Sequence, residues 1–161
     1  YHLTASDPEG NGVKNAIQLA INEAGILPNQ VDYINTHGTA TPIGDIAEVK
    51  AIQNVFGEHA YNIHITSSKS MLGHTMGAAG AIEAIISILS MQHGIVTPTI
   101  NHEDGDEDPN IDYKLNFTFN QAQQRDIRYA MSNNYGFGGQ NACLLFKKPI
   151  SNSCAAASDI Q

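Results

Sequence analysis

The chain has 161 residues, 42% of them hydrophobic, and a formal net charge of −8. That is enough apolar material for one domain with its own core, and the composition carries no disorder signature over most of its length. The negative charge argues against a partner held through a nucleic-acid backbone, and a partner that is itself acidic would need a local basic patch or one supplied by another segment.

In chain order, "YHLTASDPEG" opens without an initiator Met and without a helix or strand pattern, which reads as a lead-in cut from a longer protein. Residues 11–24, "NGVKNAIQLAINEA", place Val13, Ala16, Ile17, Ala20, Ile21 and Ala24 at helical spacing, and Gly25 is a stop signal. Residues 31–35, "VDYIN", read as a short strand, followed by the Gly/Thr/Pro loop "THGTATPIGD" and a second amphipathic helix over 43–56. "NIHITSS", from Asn62, reads as a strand. It runs into "SSKSMLGHTMGAAGAIEAIISIL", where a third helix is expected over about 76–92.

The later chain changes character. Residues 103–108 form an acidic, turn-rich loop. "YKLNFTF", 113–119, alternates as a strand does. "RYAMSNNYGFGGQNACLLFKK" reads as two strands around a glycine loop at 136–139, and 149–161 as a disordered tail. The alternation of helices and strands favours an α/β domain with helices covering a mixed sheet.

Several chemistries are excluded on mechanism. Lys69 precedes the glycines instead of ending them, and Gly73, Gly77 and Gly80 have the wrong spacing for a dinucleotide loop, so nucleotide binding is set aside. No HExxH or Cys/His cluster points to zinc. Cys143 and Cys154 make no disulfide framework; Cys143 reads as an inert core thiol. The longest apolar run is too short and Gly-interrupted for a membrane span, and no secretory signal is visible, so a cytoplasmic protein is the default.

Three residues stand out in the third helix and its approach. From residue 78 to 91 the helix is apolar almost all round and should be buried. A lone Glu83 there needs a partner, and Lys69 is the nearest cation in sequence; the competing outcome is a Glu83 that reaches solvent. His74, near the helix N-terminus, should be held neutral by the helix dipole and could donate to a developing oxyanion. His37 follows a buried strand in a loop with Thr39 and Thr41, and could converge with His74 at one end of the sheet.

"NTHGTATPIGD", "SSKSMLGHTMGAAG" and "SNNYGFGGQNA" resemble, in order, three signature blocks of the β-ketoacyl-[acyl carrier protein] synthases. The resemblance covers residues 1–148 and is nearest to the elongating type II enzymes. It implies the C-terminal half of a thiolase-like fold, a mixed five-stranded sheet covered by helices, with residues 1–10 as the lead-in from the region joining the halves. It also implies a homodimeric parent, acyl carrier protein as partner, and no cofactor beyond the carrier's phosphopantetheine arm.

Residue by residue, the resemblance makes His37 and His74 the donors to the malonyl thioester oxygen and Lys69 the lysine beside the second His. Glu83 becomes its structural acid, Thr4, Thr39 and Thr41 the neighbours of the pantetheine arm, and Phe137, between Gly136 and Gly138, the acyl-pocket gate. The nucleophilic Cys belongs to the N-terminal half, and neither cysteine here takes its place. A chain-length-factor-like subunit and a polyketide or aryl-polyene ketosynthase are the alternatives. Two departures are visible: Gln140 where the family usually has Thr, and Tyr135 where Phe is common.

Overall fold

The computed structural model describes residues 1–149; the expected disordered tail lies, but for its first residue, outside the described residues. Helix α1 (Asn11–Ala24) buries Val13, Ile17 and Ile21, one stripe at spacing four, and Gly25 ends it with a left-handed backbone. Strand β1 (Tyr33–Asn35) leads into α2 (Gly44–Phe56), and β2 (His64–Thr66) into the single-turn α3 (Lys69–Leu72) and then α4 (Ala79–His93). The chain continues through β3 (Ile95–Val96) and β4 (Gln123–Gln124), and ends in the hairpin β5 (Tyr129–Gly136) and β6 (Gln140–Lys147).

The main sheet has the order β2-β1-β5-β6, with β2, β1 and β5 parallel and β6 antiparallel to β5. Its parallel strands are buried on both sides. Ile34, Ile65 and Met131 join the core with α1 and α2. Their neighbours Tyr33 and Ala130 join the core that contains Met91 of α4. Adjacent strand residues thus face opposite helix layers, as the period of two requires.

Two expectations change. The stretch 113–119 forms no regular strand. Asn116 bridges His64 at the β2 edge and Phe119 bridges Thr99, so a fifth chain lies beside the four-stranded sheet without a ladder. Thr118 and Asn120 adopt left-handed φ of 50° and 58°, which breaks the extended run. Helix α4 is also not buried all round. Its buried face carries Ala79, Glu83, Ser87, Ser90 and Met91, while Ile85, Ile88 and Leu89 lie exposed on the outside. Glu83 faces inward because Lys69 and Asn134 lie on that side, while the Ser87 hydroxyl donates back to the Glu83 carbonyl of its own helix at 2.8 Å.

Candidate active site

The two parallel strands β1 and β2 end at the same level, and the loops that follow them carry the site. Gly38, directly after His37, has φ of 37°, and a Cβ there would stand 2.6 Å from Thr36 Oγ1 and 2.7 Å from Ser67 Cβ. Only glycine lets the two loops close this tightly; the Ser67 hydroxyl then donates to the Gly38 carbonyl at 2.7 Å.

His37 and His74 converge as expected. Their ring centroids are 5.5 Å apart with the planes at 86°. The Tyr135 ring flanks His37 at 5.4 Å. Burial, with the charges of Lys69 and His74, pushes His37 down to about 4, so it is neutral near pH 7. Its Nδ1 is shut off from solvent with no hydrogen-bond partner among the described residues.

The expected placement of His74 needs correction. Helix α4 starts at Ala79, after a 3-10 turn over Met76–Ala78, so His74 stands five residues ahead of the helix. A local contact orients the ring instead: Met76 takes a positive φ of 53° and its N–H donates to His74 Nδ1 at 3.1 Å. In the neutral ring the proton then sits on Nε2, free to donate. His74, Lys69 and Thr39 line a cavity of about 520 Å³.

The expected ion pair forms. Lys69 Nζ and Glu83 Oε1 are 2.5 Å apart with side chains only 5% and 3% exposed, so Glu83 does not reach solvent. Its second oxygen accepts from Asn134 Nδ2 at 2.9 Å. The pair ties α3, the turn leading to His74, onto α4 and β5.

A second buried carboxylate escaped the sequence reading. Glu48 of α2 accepts the backbone N–H groups of His37 (3.1 Å, on Oε1) and Gly38 (3.0 Å, on Oε2). Asn133 Nδ2 reaches Oε1 at 3.4 Å. Neighbouring Asn133 and Asn134 thus point to opposite faces of β5, each to one buried Glu. Glu48 lies among Ala47, Val49, Ala51 and Ile52 in the buried part of α2, the same signal that singled out Glu83. Burial pushes its carboxyl up to about 7.

These two shifts act on stability in opposite senses. For His37 the folded state releases its proton more readily than the free side chain at 6.5, so the contribution is full above 6.5 and is lost as pH falls toward 4. For Glu48 the folded state holds its proton more tightly than the free carboxyl at 4.5, so stability is lost as pH rises from 4.5 to 7. Thermal melts between those limits should show that His37→Gln removes the first slope and Glu48→Gln the second. Melting curves that stay parallel to the wild type across this range would contradict both assignments.

The other expected residues fall around this centre. Thr39 Oγ1 and Thr41 Oγ1 are 3.3 Å apart at the loop surface. Phe137 is exposed at the tip of the β5–β6 hairpin. The N–H of Gly138 donates to the Leu3 carbonyl at 2.7 Å, which brings the lead-in, with exposed Thr4, against the hairpin loop. Cys143 is largely buried and its thiol is pushed up to about 12, as an inert core thiol should be. Among the described residues no cluster of three or more metal-ligating side chains occurs, and no helix is long and apolar enough to cross a membrane.

Residues 1–103 match the family described as beta-ketoacyl synthase, C-terminal domain. The chain is 53% identical over 148 residues to a 3-oxoacyl-[acyl-carrier-protein] synthase 2 of Staphylococcus aureus (strain COL), covering 92% of this chain and 35% of the relative. A synthase of the same name from Coxiella burnetii is 45% identical over the same shares. Among solved structures, a type II polyketide-synthase acyl-carrier protein in complex with its ketosynthase superposes with a TM-score of 0.88 and 35% identity, covering 93% of this chain and 36% of that one. A beta-ketoacyl synthase from Burkholderia phymatum gives 0.83 and 37%, covering 92% of this chain and 35% of that one. The chain therefore spans about a third of the length of the relatives it matches, and its α/β architecture is the thiolase-like one of these ketosynthases. From the match over residues 1–103 and the shared fold, the chain belongs to the β-ketoacyl synthase family and corresponds to its C-terminal domain.

Proposed function

We propose that this chain supplies the decarboxylating half of a 3-oxoacyl-[acyl-carrier-protein] synthase that elongates fatty acids in the cytoplasm. The observation that carries the reading is the pair of crossed histidines, 5.5 Å apart, with His74 Nδ1 occupied by the Met76 N–H and Nε2 left to donate.

When malonyl thioester loses CO2, the electron pair of the breaking C–C bond moves onto the α-carbon and the thioester oxygen. Ring N–H groups from His37 and His74 stabilise that enolate oxygen. Neutral rings suit the task, since they donate without protonating the carbanion. The carbanion then attacks an acyl thioester on a Cys from the remainder of the parent. The thiolate leaves, and a 3-oxoacyl thioester two carbons longer remains on the carrier.

Thr39, Thr41 and Thr4 receive the pantetheine arm in this reading, and Phe137 gates the acyl pocket between Gly136 and Gly138, with Lys69 held beside the second His. No cofactor is needed beyond the arm that carries the substrates. The exposed apolar face of α4, with Ile85, Ile88 and Leu89, receives the N-terminal half of the synthase, and the parent works as a homodimer.

The test is to give the full-length parent an acyl-loaded and a malonyl-loaded carrier protein and to weigh the products. A 3-oxoacyl carrier two carbons longer is expected. A parent that makes none, yet is required by a second ketosynthase, would be a chain-length-factor-like subunit instead. An isolated chain of these 161 residues that catalyses condensation would contradict the division of labour.

A further inference from the structure

Tyr135 is the departure that the catalytic reading leaves unused. It stands two residues after Asn133 on β5, so both side chains face α2. Its hydroxyl is shut off from solvent and has no hydrogen-bond partner among the described residues. A phenol buried without a partner costs free energy, so an acceptor within reach is expected.

The Glu48 carboxylate lies on that same face of β5, where Asn133 reaches it. It already takes the His37 and Gly38 N–H groups and a long contact from Asn133, and a carboxylate offers about four acceptor positions. We propose that Tyr135 is a positioning residue whose hydroxyl donates to Glu48 and so secures the loop that carries His37. This rests on His37 being a catalytic donor, the reading given above.

The electrostatics agree. Burial and the Glu48 carboxylate push the Tyr135 hydroxyl well above its usual range, as they do for a donor facing a carboxylate. The Cys143 thiol, on β6, is raised by the same two causes, and Asp45 on α2 adds a like charge near Glu48. Tyr135 and Cys143 are thus both neutral groups facing Glu48, and Asp45 disfavours the Glu48 charge. The Tyr135 ring also abuts the His37 ring at 5.4 Å, so one side chain touches the histidine directly and steadies its backbone through Glu48.

The test uses the isolated chain and needs no catalysis. The amide proton shifts of His37 and Gly38 report whether Glu48 is ionised. In the wild type they should titrate near the Glu48 value of about 7, and Glu48→Gln should abolish that titration. Tyr135→Phe removes one oxygen, and the midpoint should rise by about half a pH unit or more, the direction expected when a donor to the charged form is lost. Placing 3-fluorotyrosine at 135, a stronger donor of the same shape, should move it down and covers the case where Tyr135→Phe folds poorly. A midpoint unchanged in both would overturn the proposal. A moved midpoint in a parent whose pH–rate profile stays fixed would leave the hydrogen bond standing and count against the catalytic reading instead.

Discussion

Replacing either histidine by alanine in the full-length parent should cut malonyl decarboxylation by roughly 100- to 1,000-fold, the usual cost of one oxyanion donor. His74→Ala leaves the Met76 N–H without its acceptor but touches little else, so folding should be retained and the loss should fall on kcat. His37→Ala leaves the backbone N–H groups of 37 and 38 on Glu48, so the loop should also hold. The two losses should not add in the double variant, because both donors serve one oxygen and neither works alone at full strength. Rates of CO2 release from malonyl-carrier protein measure this. Wild-type release from either single variant would remove the histidines from the decarboxylation step.

Breaking the buried Lys69–Glu83 pair should be the most destabilising single change at the site. Lys69→Met leaves Glu83 buried with only Asn134, and Glu83→Leu leaves an uncompensated ammonium. Each should cost about 3–5 kcal/mol, roughly 10 °C in Tm for a domain of this size. The double variant Lys69→Met/Glu83→Leu removes both charges and should recover most of that loss, since two apolar side chains replace a desolvated pair. Its activity should not recover, because Asn134 loses its acceptor and α3 is no longer held to α4 by an ion pair. Single variants with a Tm within about 2 °C of the wild type would show that the pair is not sealed from water.

The same contrast explains which parts could be read from the sequence. Helix α1 was legible to its boundaries, because its apolar stripe and Gly25 are local signals. The Lys69–Glu83 pair was legible because a charge in an apolar run demands a partner. Glu48 carried an equal signal among Ala47, Val49, Ala51 and Ile52, but its partners are backbone N–H groups, which leave no trace in a sequence. The orientation of α4 was not legible. Hydrophobicity puts Ile85, Ile88 and Leu89 inside, whereas tertiary contacts turn Glu83, Ser87 and Ser90 inward. The alternation in 113–119 predicted a strand that left-handed turns at Thr118 and Asn120 interrupt. The placement of His74 was not legible: it stands five residues ahead of α4, and its ring is oriented by the left-handed Met76 backbone, which no pattern announces.

The central claim is that His37 and His74 grip one oxygen. A crystal structure of the parent with a non-hydrolysable malonyl-pantetheine analogue, its thioester replaced by an amide, tests this most directly. The analogue's carbonyl oxygen should lie within about 3 Å of a ring nitrogen of each histidine. A carbonyl that meets neither ring, or only one, would contradict it.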